Sequence, residues 1–373
     1  MKAGPMILGI DCRQFTSRMT GLANVLRCLL DSMVKHHPEV RMVLFSPSGF
    51  DESLNRDYGQ YSNVTIVRRK FISEKLPKII WYNAYLPFLA LKYGITDFLS
   101  VRTELPIWLP GKIRTITFIH DVVAIDYSET METKNRIVNQ LFFARSIRRS
   151  DLLWCVSEYT RNEVIRKFPE VESRIAIVGS GADADFFRNL HLGEDSKKKF
   201  LAKYGINGRP LLFVGSLEPR KNLSFLLKLM PQLYKFGFQL IVVGAKGWKN
   251  SGIANVVTAA DFPKESVLFC GYITDAELVM LYNCAECYVS TSLNEGFGLP
   301  QLEAMLCGCR VVSPDNSAMS EVVGGRGKLI SSWDETEWVE EIVRYCDTPQ
   351  EQPDLSPFRW DGLTDRFTEL LGQ

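Results

Sequence analysis

Two carboxylates, Glu295 and Glu303, stand on either side of a loop carrying Gly296, Gly298 and Pro300, in the stretch STSLNEGFGLPQLEAMLCGC (290–309). Glycines permit close backbone approach, and a carboxylate beside a helix start usually has something to hold. Pro300 suits the first positions of a helix and Gly308 the residue past its end, so Glu303 is expected in the first turn, beside free N–H groups that make a natural phosphate site. A carboxylate there would repel the phosphate unless it turned to neutral donors. Ribose hydroxyls suit Glu303, and the hydroxyls of a sugar suit Glu295.

Two cations complement this pair. Arg220 and Lys221 follow the apolar run PLLFVGS in the segment LEPRKN, ahead of the helical run LSFLLKLM. Cations at a helix start oppose its dipole, which argues against mere surface decoration, whereas a diphosphate fits bidentate Arg and point-charge Lys. His120-Asp121 closes the run TITFI, and the only other histidines are His36, His37 and His191. A lone histidine is more often structural, but its place at a strand end makes His120 a candidate for a functional role. Gly21, in TGLANV (20–25), falls at an expected helix start, where glycine alone is ordinary punctuation.

Two other patterns imitate metal sites. Cys284 and Cys287 have CxxC spacing with Cys307 and Cys309 close behind, yet Cys287 falls in a strand-like run and Cys307 at a helix end, where thiols serve as small buried apolar groups. The DAD at 183–185 resembles an Asp-x-Asp cation motif but lies in a linker, away from the phosphate cations. No metal ligand is assigned.

The elements that position these residues are short apolar runs alternating with helical patterns: MILGID, RMVLFS, NVTIVR, TDFLSV, RTITFIHD, LLWCVS and RIAIVG, then PLLFVGS, FQLIVVGA, SVLFCGY, CYVSTS and CRVVSP. Continuous Val/Ile/Leu runs between helices imply parallel sheets buried on both faces, one doubly wound domain in each half. The pattern lapses over 181–200, which reads as a linker, giving domains at 1–185 and 186–355. The C-terminal stretch 356–373 has helical spacing at Phe358, Leu363, Phe367 and Leu370, with no strand after it, and is expected to pack back on the first domain. Ligands of such sheets collect beyond the carboxyl ends of strands, where the candidate residues stand.

At 373 residues, 46% hydrophobic, the chain is long enough for two cores. Forty-four basic against 43 acidic residues leave no global field for nucleic acid. The opening run MILGI is too short for a signal peptide, and nine irregularly spaced cysteines fit a reducing, cytoplasmic setting. No stretch reaches the ~20 apolar residues of a membrane span. IIWYNAYLPFLAL (79–91), flanked by Arg68, Arg69, Lys70, Lys75, Lys78 and Lys92, reads either as an interfacial face peripheral to an anionic membrane or as a core helix with a basic rim.

NEGFGLPQLEAM resembles the E-x7-E signature of retaining glycosyltransferases of family 4, and the resemblance extends through TGLANV, FIHD, DLLWCVSEYTRNEV, GSLEPRKN and VLFCGYITDAELVMLYNCAECYVSTSLNEGFGLP. It implies the GT-B fold, an α/β architecture of two Rossmann-like doubly wound domains facing across a cleft, with acceptor binding in the first domain and nucleotide-sugar binding in the second. Glu303 would hold the ribose and Glu295 the donor sugar. The backbone of Gly296, Phe297, Gly298 and Leu299 would meet sugar and phosphates, and that of Gly271, Tyr272 and Ile273 the base. Arg220 and Lys221, on the phosphate turn that opens with Gly215, would neutralise the leaving diphosphate. Gly21 would approach the phosphates and His120 would touch the sugar.

Among members the chain looks most like bacterial O-antigen and exopolysaccharide mannosyltransferases. That implies a nucleotide-sugar donor, GDP-mannose favoured over UDP-sugars, no metal cofactor, and a glycan or polyprenyl-diphosphate-linked acceptor. Asn24, where many members carry a basic residue, and the loop SVRTELP (100–106) depart from the pattern on the acceptor side. A sugar-nucleotide epimerase or hydrolase, and a non-catalytic sugar-nucleotide-binding partner, are the alternatives.

Overall fold

The computed structural model describes residues 6–15, 21–46, 51–68, 78–122, 133–244 and 251–372. The chain divides into two compact units, Met1–Gly181 with Phe358–Gln373, and Ala182–Pro357.

In the first unit the strands are β1 (Ile7–Asp11), β2 (Arg41–Ser46), β3 (Val64–Arg68), β4 (Asp97–Ser100), β5 (Arg114–Ile119), β6 (Leu152–Cys155) and β7 (Ile175–Ile177). They pair in parallel in the order β3-β2-β1-β4-β5-β6-β7. The inner strands are buried along their length because helices cover both faces, which is why their sequences are apolar without alternation. The order reverses between β1 and β4, the switch point of a doubly wound sheet.

The last helix, Trp360–Leu371, completes this unit. Leu363 and Phe367 are fully buried, Phe367 lies 4.6 Å from Trp154 between ring centroids, and the Ser32 and Thr364 hydroxyls meet at 2.8 Å. Arg114 caps the helix C-terminus, donating to the carbonyls of Leu370 and Leu371 at 3.0 and 3.1 Å.

The segment 78–92 forms one helical run, Lys78–Ile80, Trp81–Tyr85 and Leu86–Lys92, in spite of Pro87. A wider turn at Trp81–Tyr85 precedes the proline, whose missing N–H is tolerated near the start of the following stretch. Trp81, Tyr82, Leu86 and Leu89 pack into the core while Ile79, Ile80, Phe88 and Leu91 face solvent. The stretch is thus a core helix on one face, as one of the two sequence readings expects, and leaves apolar side chains in solvent on the other. Of its flanking cations, Arg69, Lys70 and Lys75 lie outside the described residues.

The second unit contains β8 (Arg209–Val214), β9 (Phe238–Val243), β10 (Val267–Gly271), β11 (Cys287–Val289), β12 (Arg310–Pro314) and β13 (Lys328–Ile330). They form a parallel sheet in the order β10-β9-β8-β11-β12-β13, with the switch between β8 and β11. Sequence reading missed β13, three residues at the sheet edge, because a run that short carries no periodicity. Cys284, Cys287, Cys307 and Cys309 are buried, and burial raises each thiol's pKa, as expected of apolar filler. Asp183 accepts the Asp185 and Phe186 N–H groups at 3.1 and 3.0 Å and so closes a turn.

Candidate functional site

Residues after β8 and after β11 meet at the switch point of the second sheet. The chain leaves β8 through Gly215 and a short turn, Pro219–Lys221, ended by Asn222 in the left-handed region (φ 50°), before the helix Leu223–Leu233. After β11 the loop 290–298 is tied to that turn: Leu293 N–H donates to the Arg220 carbonyl at 2.8 Å, and the Thr291 hydroxyl to the Lys221 carbonyl at 3.1 Å. These bonds fix the backbone that carries Arg220, Lys221 and Glu295.

The three side chains form one buried ion cluster. Arg220 Nη1 donates to Glu295 Oε2 at 2.9 Å, and Lys221 Nζ donates to Glu295 Oε1. Arg220 is held on its other side by Glu218 Oε1 at 2.9 Å and also donates to the Asn294 carbonyl at 2.5 Å. The Ser292 hydroxyl adds a 2.8 Å bond to Glu295 Oε1, and the Glu295 N–H donates to Ser317 Oγ at 3.1 Å. Burial alone would raise the Glu295 carboxyl, but the charges of Lys221 and Arg220 outweigh it and hold the pKa at about 2. Sequence reading gave Glu295 to a sugar and the cations to a diphosphate. Within this cluster they satisfy one another, so any anion drawn to the two cations would have Glu295 as its competitor.

Glu303 has a different environment. The helix runs Leu299–Leu306 with Pro300 at its second residue, so Glu303 is the fifth residue and falls past the first turn, contrary to expectation. Its described hydrogen bond comes from the Tyr282 hydroxyl at 3.1 Å, on the helix Asp275–Cys284. Burial, with Asp275 nearby, pushes its carboxyl up to about 8 against the one bond that lowers it. Two carboxylates eight residues apart are thus pushed in opposite directions, Glu295 down by its two cations and Glu303 up by burial.

The loop between them needs its glycines. Gly298 starts the helix at φ 106°, and a Cβ there would stand 3.2 Å from the Oε1 of buried Gln301. Phe297 is buried beside it, Gly296 is buried, and Leu299 opens the helix half-buried.

Gly215 directly follows β8 and Gly271 ends β10, and Gly244, which sequence reading missed, directly follows β9 between them. Gly215 N–H donates to the Val243 carbonyl at 2.9 Å and Gly244 N–H to the Gly271 carbonyl at 2.8 Å. A Cβ on Gly244 would sit 1.8 Å from the Gly215 oxygen. The signal was present: VVGA repeats the strand-then-glycine habit of FVGS and FCGY. Beyond Gly271, Tyr272 is exposed and Ile273 half-exposed ahead of a helix capped by Thr274 and Glu277. Glu218, Ser292 and Ser317 were also missed, since isolated polar side chains in loops carry no spacing signal.

In the first domain His120 follows β5, with its ring stacked on Phe118 at 4.3 Å. Its Nε2 lies 2.9 Å from the Val101 carbonyl; a carbonyl only accepts, so Nε2 carries the proton and Nδ1 is left as an acceptor. Burial holds the ring neutral, with a pKa of about 4. Gly21 is exposed at the first described residue of the helix Gly21–His36, and Asn24 is half-buried on that helix.

The sequence matches known families along most of its length. Residues 19–186 match Glycosyltransferase Family 4 and residues 208–348 match Glycosyl transferases group 1. Over 227 residues the chain is 31% identical to O-antigen chain mannosyltransferase B of Escherichia coli, a match covering 59% of this chain and 58% of that protein. Over 280 residues it is 25% identical to O-antigen chain mannosyltransferase RfbU of Salmonella typhimurium, covering 73% and 72%. Anabaena HepE, solved in complex with UDP, superposes with a TM-score of 0.70 at 16% identity, covering 98% of this chain and 99% of that one, which shows a shared GT-B fold. With one matched stretch in each domain, on that fold, the chain belongs to the family 4 glycosyltransferases.

Proposed function

We propose that this chain is a retaining hexosyltransferase that moves mannose from GDP-mannose onto a glycan or polyprenyl-diphosphate-linked glycan in cell-surface polysaccharide assembly, on the cytoplasmic side. The observation that carries the reading is the Glu295 cluster: a buried carboxylate, ionised by Arg220 and Lys221, at the switch point where a doubly wound sheet binds its ligand. The O-antigen mannosyltransferases among its relatives support the sugar and the pathway class. A lipid-linked acceptor also calls for peripheral contact with an anionic membrane.

In the reaction, negative charge grows on the leaving diphosphate while the sugar becomes oxocarbenium-like. Arg220 and Lys221 are already held and desolvated beside Glu295, so they stabilise that charge by exchanging one anionic partner for another, without a metal ion. As they turn to the diphosphate, Glu295 is released to accept from a sugar hydroxyl. Glu303 takes ribose hydroxyls once it gives up its proton, and neutral His120 offers Nδ1 to a hydroxyl. The departing phosphate oxygen serves as base for the acceptor hydroxyl on the same face, which gives retention.

A thermal-shift panel of GDP, UDP and TDP sugars tests the donor, because a ligand at ~100 times its dissociation constant adds ~2.7 kcal/mol. GDP and GDP-mannose are expected to shift the second domain's transition. A shift with UDP-sugars alone would replace the donor, and NMR of the product anomer separates retaining transfer from epimerisation or hydrolysis.

A further inference from the structure

We propose that one surface of the first domain, formed by the helical run 78–92, the loop 101–113 and the helix Thr133–Arg149, docks on an anionic lipid bilayer. Several hydrogen bonds join these segments. Asn83 Oδ1 accepts the Ile107 N–H at 2.9 Å, Arg145 donates to the Ile107 carbonyl at 2.7 Å, and Arg149 donates to the Pro106 carbonyl at 2.8 Å. The loop is thereby clamped between the two helices.

Six large apolar side chains are displayed on these segments: Ile79, Ile80, Phe88, Leu91, Trp108 and Leu141, each between 44% and 66% exposed. Among the described residues the first domain exposes one other, Ile177. Leaving six such groups in water is costly unless something covers them. Trp and aliphatic side chains of this kind settle at the boundary between headgroups and acyl chains.

The charges name the occupant. Among residues whose side chains the structure describes, the three segments carry Lys92, Arg102, Lys112, Arg145, Arg148 and Arg149 against Glu104 alone, in a chain whose totals are 44 basic and 43 acidic. Arg148 is paired with Glu170 at 2.9 Å, and Glu104 lies 3.5 Å from Arg13, so the surface stays strongly positive. A second copy of the chain would bring like charge against like, whereas anionic headgroups attract each cation near the surface. Among the described residues no helix is long and apolar enough to cross a membrane, which fits a surface that lies on the bilayer.

The proposal rests on the reading of a lipid-linked acceptor, but its test uses neither donor nor acceptor. The full chain is floated with vesicles of phosphatidylglycerol mixed with phosphatidylcholine, and with phosphatidylcholine alone. Binding to the anionic vesicles at low salt, lost near 1 M salt where the Debye length is about 3 Å, is expected. Phe88→Ser with Trp108→Ser should weaken partitioning about tenfold or more, since two aromatic side chains no longer enter the interface. Both residues are exposed, so the thermal midpoint should not move, and Phe236→Ser, on the second domain, should bind as the wild type does. No anionic-vesicle binding, or binding indifferent to the double variant, overturns the proposal. So does a concentration-dependent dimer that the double variant dissolves, since the surface would then serve self-association. Sugar transfer by a chain that ignores vesicles overturns this proposal and leaves the donor reading standing.

Discussion

Replacing Glu295 by Gln keeps the shape of the side chain and the bond to Ser292 but removes the charge that Arg220 and Lys221 share. The wild-type carboxyl is held from its ordinary 4.5 down to about 2. At 1.36 kcal/mol per pKa unit that depression stabilises the fold by about 3 kcal/mol, within the ~3–5 kcal/mol range for breaking a buried pair. Because the folded-state value is depressed, this stability is present above the unfolded value near 4.5 and is lost as pH falls toward 2. Urea unfolding at about pH 7 should therefore show the second domain of Glu295→Gln less stable by about 3 kcal/mol, with a smaller gap at about pH 3. The variant's two cations, relieved of their internal partner, should bind a nucleoside diphosphate at least as tightly as wild type by calorimetry, while sugar turnover falls. A gap under ~1 kcal/mol at neutral pH, or one that does not shrink in acid, would refute the charge pairing, since an exposed pair is worth no more. Loss of diphosphate affinity would refute the competition between Glu295 and the phosphates.

Lys221→Ala should cut turnover by roughly 10²–10³, the scale for losing one preorganised donor, and activity should survive EDTA; full dependence on added Mg²⁺ would contradict a charge supplied by side chains. Glu303, raised to about 8, binds its proton more tightly in the folded chain than in the unfolded one. Stability should thus decline as pH rises from about 4.5 through about 8, and Glu303→Gln should flatten that slope. Diphosphate binding near neutral pH should release close to one proton, read by calorimetry in two buffers of unlike ionisation enthalpy; zero release would show that the ligand does not meet the carboxylate. Gly244→Ala, with its Cβ 1.8 Å from a backbone oxygen, should cost about 3 kcal/mol or more. Gly271→Ala, at φ 68° with open space around it, should cost about 1–2 kcal/mol. Equal losses in thermal melts would mean the glycine row is looser than drawn.

Parallel sheets leave a strong trace in sequence, because strands covered on both faces must be apolar throughout, and runs such as RMVLFS and LLWCVS locate β2 and β6. The positions of Arg220, Lys221 and Glu295 were legible for a related reason: glycines and charges directly after a strand have few structural uses. Their mutual pairing was not legible. It depends on how the turn 219–221 lies against the loop 290–298, a contact across more than seventy residues that no local spacing encodes. Glu303 shows the same limit at shorter range. A shift of one or two residues in a helix start moves a carboxylate from the N–H groups of the first turn to the Tyr282 hydroxyl.

The helix Trp360–Leu371 belongs to the first domain but is synthesised after the whole of the second. Until it emerges, Trp154 lacks the Phe367 ring and Ser32 the Thr364 hydroxyl. The second domain is continuous in sequence and can close on its own during translation, whereas the first must wait with an open groove along the helix Gly21–His36. Order of folding is then the reverse of order of synthesis. A chain truncated directly after Pro357, with the second domain whole and the last helix missing, should present a finished second domain and a first domain that chaperones and proteases can still recognise as incomplete.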